Sequence, residues 1–97
     1  MYTINNTILS QPFEKLQLQK LAKEDNFEIL SISLEKDAIF PEHSSPSNVH
    51  LIMIEGDIDF HINQQTYNLT TTQNFKFPKA EKHWVKANKN SKFLIIR

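Results

Sequence analysis

The chain has 97 residues with 11 basic and 11 acidic side chains, and it contains no cysteine. This length supports one compact domain, 1–97, while the missing cysteines exclude disulfides, a zinc ribbon and a cysteine nucleophile. The balanced charge argues against a nucleic-acid partner, no apolar run is long enough to cross a membrane, and no signal peptide is visible, so we expect a cytoplasmic protein.

The N-terminal segment, residues 1–26, admits two interpretations in its second half. Phe13, Leu16 and Leu21 could lie on one face of a short helix. The alternation of apolar and polar residues that begins at Leu16 instead indicates a strand. We favour a strand that pairs with residues 27–34, so that the segment packs on the rest of the domain or on a dimer partner.

Alternation with a period of two, typical of β-strands, dominates the rest of the chain. Gly56 is the only glycine, so asparagine and aspartate, which tolerate positive φ, must form most turns. The candidate turns are 25–26, 36–37, 63–64 and 89–90. The apolar runs 49–54 and 93–96 suggest strands covered on both faces. The predicted strands contain residues 27–34, 49–54, 57–62, 67–69, 75–77 and 93–96.

Two motifs with defined spacing lie between Asp37 and Ala87. The first starts at Asp37, passes His43 and closes on Gly56, and the second starts at Thr72 and passes Pro78, His83 and Ala87. These intervals resemble the two motifs of the cupins, in particular small single-domain proteins of the cupin-2 type. Cupins carry glycine at the positions equivalent to 37, 56, 72 and 80. The resemblance implies an all-β, antiparallel β-barrel of jelly-roll type, also called a double-stranded β-helix, which is commonly a homodimer.

Metal-bearing cupins hold iron, manganese, nickel or zinc with three histidines and a glutamate. His43 and His83 match two of these four positions, whereas Ser45 and Val49 replace the other two. We therefore expect no tightly held cofactor, because transition metals usually need at least three protein ligands. A divalent transition metal would need a recruited third ligand, and His50 and Glu42 are the candidates. Both are sequence neighbours of inward positions, so alternation points them outward unless a bulge intervenes.

The lumen of such a barrel offers a second candidate site. Alternation places an apolar, partly aromatic set of side chains on the inward side, which suits a small-molecule ligand. The same side chains could instead simply fill a small barrel. The predicted ligand-binding residues are Ser45, Val49, Leu51, Met53, Phe60, Phe75, Phe77 and Val85.

Three functions remain open at this point. The leading hypothesis is a cupin-fold protein that binds a small molecule in an apolar lumen, with a degraded metal site. One alternative is a metal-dependent enzyme, of dioxygenase or isomerase type, that uses His43 and His83. The other is a structural or regulatory dimer module, favoured by an outward-pointing Trp84.

Overall fold

The computed structural model describes residues 1–97 and consists of nine strands and one short helix. The helix α1, Thr7–Ser10, has four residues, and no helix is long and apolar enough to span a membrane. Local alternation forms the strands, whose bounds are β1 Leu16–Lys23, β2 Glu28–Leu34, β3 Ile39–His43, β4 Val49–Glu55, β5 Asp57–Ile62, β6 Gln65–Thr70, β7 Asn74–Phe77, β8 His83–Ala87 and β9 Ser91–Ile96.

The strands form two antiparallel sheets that face each other. One sheet has the order β1-β2-β9-β4-β7, and the other has the order β3-β8-β5-β6. The inward side chains of both sheets pack into one core of 14 buried apolar residues. This arrangement confirms the predicted all-β jelly roll.

The strand interpretation of the N-terminal segment is confirmed. β1 pairs antiparallel with β2, with Leu16 opposite Leu34 and Leu18 opposite Ile32. A bulge between Lys20 and Ala22 shifts the register near the connecting turn. Leu16 and Leu18 therefore share the inward face with the apolar residues of β2.

The residues before β1 cover the outer face of the first sheet. Gln11 exchanges hydrogen bonds with Ser31, donating to its carbonyl at 3.0 Å and accepting from its hydroxyl at 2.6 Å. Ser33 donates to the Pro12 carbonyl at 2.7 Å. Nζ of the buried Lys92 donates to the carbonyls of Ile8 and Leu9. Ser31 and Ser33 are therefore buried although they are outward positions of an alternating strand.

Several turns have a left-handed backbone at residues other than glycine. Asp37, Thr72 and Ala80 have φ values of 71°, 72° and 70°, and Gly56 has 100°. These are the four positions at which the cupin motifs carry glycine. Asn63 and Gln64 also have positive φ, as predicted, whereas the expected turns at 25–26 and 89–90 form with negative φ.

The run 49–54 is not covered on both faces as expected. Val49, Leu51 and Met53 are buried on the inward side, but His50 is exposed and Ile52 and Ile54 are half-buried. The run 93–96 behaves alike, with Phe93 buried and its last three residues half-buried. The outer face of the first sheet is therefore only partly covered at β4 and β9.

Candidate functional site

His43 and His83 meet at one end of the space between the sheets. His43 ends β3 and His83 begins β8, and the two are cross-strand partners. Their Nε2 atoms are 3.1 Å apart. Aromatic rings hold both imidazoles, since Phe40 stacks on His43 at 4.3 Å and Phe60 stacks on His83 at 5.3 Å. Packing and strand register thus fix the positions of both imidazoles without a bound ligand.

The other nitrogen of each ring faces a backbone carbonyl. Nδ1 of His43 lies 2.7 Å from the Pro41 carbonyl oxygen, and Nδ1 of His83 lies 3.0 Å from that of Glu81. A carbonyl only accepts, so both Nδ1 atoms are assigned as donors. One further hydrogen must then lie between the facing Nε2 atoms, because two lone pairs would repel.

That shared hydrogen is assigned to His43. Burial lowers the pKa of His83 below its ordinary value; its hydrogen bond to the Glu81 carbonyl opposes this effect, and His43 adds to it. His83 is 4% exposed, whereas His43 is only half-buried. His83 therefore accepts the hydrogen bond at Nε2.

A cavity of about 260 Å³ adjoins the histidine pair, and most of its lining side chains are apolar. It lies between the two sheets, and Pro46 and Arg97 line both the cavity and an external groove. We call the end of the cavity at these two residues its mouth. An apolar cavity with a few polar groups is the usual composition of a small-molecule site.

The predicted lumen residues divide into two groups. Leu51 and Met53 are fully buried in the core without lining the cavity. Phe75 is half-buried and also lies away from the cavity, where its ring packs against Phe60 and Tyr67. The predicted residues that do line the cavity are Ser45, Val49, Phe60, Phe77 and Val85.

Ser45 and Val49 complete the wall next to the histidines. The Ser45 hydroxyl donates to the Ser47 carbonyl at 2.7 Å, so it organises the loop between β3 and β4. The Ser45 carbonyl in turn accepts from the Ala80 amide at 2.9 Å. Val49 is 3% exposed and offers only methyl groups. Neither side chain supplies a free donor atom for a metal.

Comparison with known proteins identifies the architecture. No family model and no curated protein matches the sequence. An RmlC-like cupin from Desulfovibrio desulfuricans is 18% identical with a TM-score of 0.86, covering 99% of this chain and 95% of that one. A protein from Shewanella frigidimarina with a cupin-2 domain is 21% identical with a TM-score of 0.79, covering 97% and 92%. This chain has the cupin fold.

A third similar structure is the cupin_2 domain of an XRE family transcriptional regulator from Enterobacter cloacae. It is 20% identical with a TM-score of 0.75, and the match covers 86% of this chain and 95% of that one. At these identities the similarity establishes the shared fold and leaves function to the residues of the site.

Only two of the four ligand positions of metal-bearing cupins carry a histidine in this chain, at His43 and His83. Metal–nitrogen bonds of about 2.0–2.1 Å would suit two imidazoles at the observed spacing. The third and fourth ligands are lacking, because the Ser45 hydroxyl is engaged and Val49 is apolar. No group of three or more histidine, cysteine, aspartate or glutamate side chains is arranged to hold a metal ion. These residues do not fit a tightly bound metal.

The residues considered as a third ligand lie outside the cupin lumen. His50 is exposed on the outer face of β4, opposite Lys76 and Ile96. Glu42 is exposed and lines a separate external groove with His61 and Trp84. His61 and Trp84 stack at 3.7 Å on the outer face of the second sheet, where alternation places them.

Arg97 lines the cavity and was not predicted from the sequence. It lines the cavity because it lies two positions after Ile95 on the inward side of the last strand. Alternation through 93, 95 and 97 would have indicated this position. Phe40 and Leu18 also line the cavity and were missed, since their strands were not assigned to the lumen.

Proposed function

We propose that this cupin-fold protein binds a small organic molecule in the cavity between its sheets and works without a tightly held catalytic metal. The single observation that carries the proposal is an apolar cavity next to two histidines that hydrogen-bond to each other. Val49 and Ser45 close the wall at which a metal would need donors.

The size of the cavity supports a ligand rather than a packing defect. Protein cores are close-packed, and voids larger than a water molecule are few. At about 260 Å³ the cavity is far larger than the space that a single water molecule needs. This volume is slightly below the usual range for drug-sized ligands, so the occupant is a small molecule of about ten non-hydrogen atoms.

A binding or sensing role fits the site better than catalysis. The two histidine rings hydrogen-bond to two carbonyls and to each other, and no serine hydroxyl hydrogen-bonds to either ring. The similar domain from a transcriptional regulator gives a precedent for a cupin domain in a regulatory protein. The metal-dependent enzyme remains the alternative, and it requires a stoichiometric metal on both histidines.

The proposal includes a cytoplasmic homodimer. Several apolar side chains are about half exposed, including Leu18, Ile39 and Tyr67, and the N-terminal Tyr2 and Ile4 are almost fully exposed. Self-association through a two-fold interface is the simplest way to cover such surface. Sedimentation equilibrium at micromolar concentrations tests it, and a monomer throughout contradicts the dimer.

Two matched variants test the cavity. Val49→Phe projects a ring into the cavity, so it should fold with near wild-type stability and lose ligand binding. Leu51→Phe, two residues along the same inward face, enters packed core and should destabilise by about 1–3 kcal/mol. Unfolding in urea measures the stability of both proteins.

Binding is followed by NMR with small aromatic compounds of about ten non-hydrogen atoms, and metal content by mass spectrometry of protein without a histidine tag. Shifts at cavity residues that vanish in Val49→Phe support the proposal. Equal destabilisation by both variants, no compound that shifts cavity residues, or a stoichiometric metal lost in His83→Ala would each overturn it.

A further inference from the structure

We propose that the ligand of this cavity is a small organic carboxylate whose anionic end is held by Arg97 at the mouth. This inference rests on the proposed function and adds the chemical class of the ligand. Arg97 is the only lining residue with a permanent charge. A charge in a mostly apolar wall favours a ligand group of the opposite sign.

The position of Arg97 is fixed by its strand. The backbones of Arg97 and Glu28 form two hydrogen bonds, at 2.6 and 3.0 Å. The antiparallel pairing of β9 with β2 therefore extends to Arg97. The Arg97 side chain is 23% exposed and therefore lies between the lumen and solvent. A ligand that entered through the mouth would pass this guanidinium.

Glu28 positions the Arg97 side chain but engages only one of the donor groups of the guanidinium. Nε of Arg97 donates to Oε1 of Glu28 at 2.7 Å. Oε2 of Glu28 lies 3.6 Å from Nζ of Lys20 and 3.7 Å from Nζ of Lys23, so three cations share one carboxylate. The Nη groups of Arg97 make no hydrogen bond within the protein. They remain available to grip a carboxylate end-on through two parallel hydrogen bonds.

The charges outside the mouth favour an anion on the lumen side. Glu24 and Asp25 line the external groove together with Lys23 and Glu28, and they would repel a carboxylate there. Inside, no acidic residue lines the cavity. The rings of Phe60 and Phe77 and the aliphatic side chains of both sheets would contact the apolar body of the ligand.

The test uses matched acid and amide pairs on the full chain: benzoate with benzamide, phenylacetate with phenylacetamide, and octanoate with octanamide. Each pair has the same number of non-hydrogen atoms and differs in charge. Calorimetry or NMR titration should show that wild type prefers at least one acid over its amide by about tenfold or more, as a hydrogen bond to a charged group implies. Arg97→Gln should bring this ratio close to one, because it weakens binding of the acid far more than binding of the amide.

Two further variants keep the result interpretable. Arg97→Lys retains the charge without the planar fork and should keep part of the preference. Lys89→Gln removes one positive charge at an exposed position away from the cavity, so it should not change the preference for the acid. Amides that bind as well as acids would overturn the carboxylate assignment and leave the proposed function standing. If no compound of any pair shifts cavity residues, both fail together.

Discussion

Ser45 and Val49 decide what the histidine pair does. A donor atom at either position would turn two imidazoles into a set of three ligands. With a loop-bound hydroxyl and an isopropyl group instead, the Nε2 atoms face each other at 3.1 Å and share a hydrogen. The chemistry of the pair is therefore set by its neighbours and not by the histidines alone.

Restoring those two donors should create a metal site. The variant Ser45→His/Val49→Glu places three imidazoles and a carboxylate around one end of the cavity. We expect stoichiometric Zn²⁺ or Ni²⁺ by mass spectrometry and a melting temperature that rises with added metal, because the ion binds only the folded protein. Without metal the variant should be less stable than wild type, since a carboxylate is buried unpaired.

The matched control is Ser45→His/His50→Glu, which adds the same groups but places the carboxylate on the outer face of β4. Because only three imidazoles converge in it, the control should bind the metal more weakly and gain less stability from it than the first variant. Equal metal affinity and equal stabilisation of the two double variants would show that positions 43, 45, 49 and 83 do not converge as described.

The turns keep a backbone that the side chains no longer suit. At Asp37, Thr72 and Ala80 the φ values near 70° would be relaxed for glycine. At Gly56 the constraint is absolute, because an added Cβ would lie 2.2 Å from the Ser91 hydroxyl. The strand connections of the cupin fold thus persist through backbone conformation even where the residue type has changed.

Thr72→Gly should therefore stabilise the protein. A β-branched residue in the left-handed region is strained, and relief should raise the free energy of unfolding by about 1 kcal/mol. Thr71→Gly serves as the control, because its φ is negative and its hydroxyl accepts from the Gly56 amide, so stability should fall. Urea unfolding measures both, and a loss of stability in Thr72→Gly would contradict the argument.

The buried cation of Lys92 helps to hold the residues before β1 on the first sheet. Lys92 is 5% exposed, donates to the carbonyls of Ile8 and Leu9, and places Nζ 4.8 Å from the centre of the Phe13 ring. Lys92→Met keeps the length of the side chain but removes these donors, at a cost of about 1.5–3 kcal/mol. Limited proteolysis should then cut the residues before β1 faster than in wild type. The control variant Lys89→Met, at an exposed lysine, should be cut at the wild-type rate. Unchanged cleavage in Lys92→Met would show that Lys92 does not hold the N-terminal residues on the sheet.

At the scale of the molecule, local patterns in the sequence predicted the fold well. Alternation defined the strands, and motif spacing placed His43 and His83 together although they are 40 residues apart. Parity also brought Val49, Phe77 and Val85 to the cavity. The placement of Val49, Phe77 and Val85 follows because side-chain direction in a strand depends on position alone, whereas the pairing of His43 with His83 follows from the resemblance to the cupin motifs.

The features that sequence missed depend on how elements meet. Leu51 and Met53 point inward like Val49, yet the far end of the sandwich closes over them. Ser31 and Ser33 are buried because residues before β1 lie across them, which alternation cannot show. Arg97 matters because Glu28 orients it at an opening that exists only after both sheets assemble.

Stability should fall in two steps as the pH decreases. Burial lowers the pKa of His83, so below about pH 6.5 the unfolded chain binds a proton that the folded protein refuses, and stability declines by up to about 1.4 kcal/mol per pH unit. Hydrogen bonds from Asn88 and Asn68 lower the pKa of Asp57, and that from Arg97 lowers the pKa of Glu28. Their contributions are present above about pH 4 and are lost as the pH falls through the folded-state pKa values.

Urea midpoints from pH 7.5 to 3 separate the two steps. His83→Asn cannot titrate at this position, so it should flatten the upper step and leave the lower one, whereas Asp57→Asn should reduce only the lower step. His43 is the titratable side chain that faces His83, and its electrostatic effect further lowers the pKa of His83. A wild-type midpoint that stays level or rises between pH 6.5 and 5 would contradict the assignment of His83 as the neutral, accepting member of the pair.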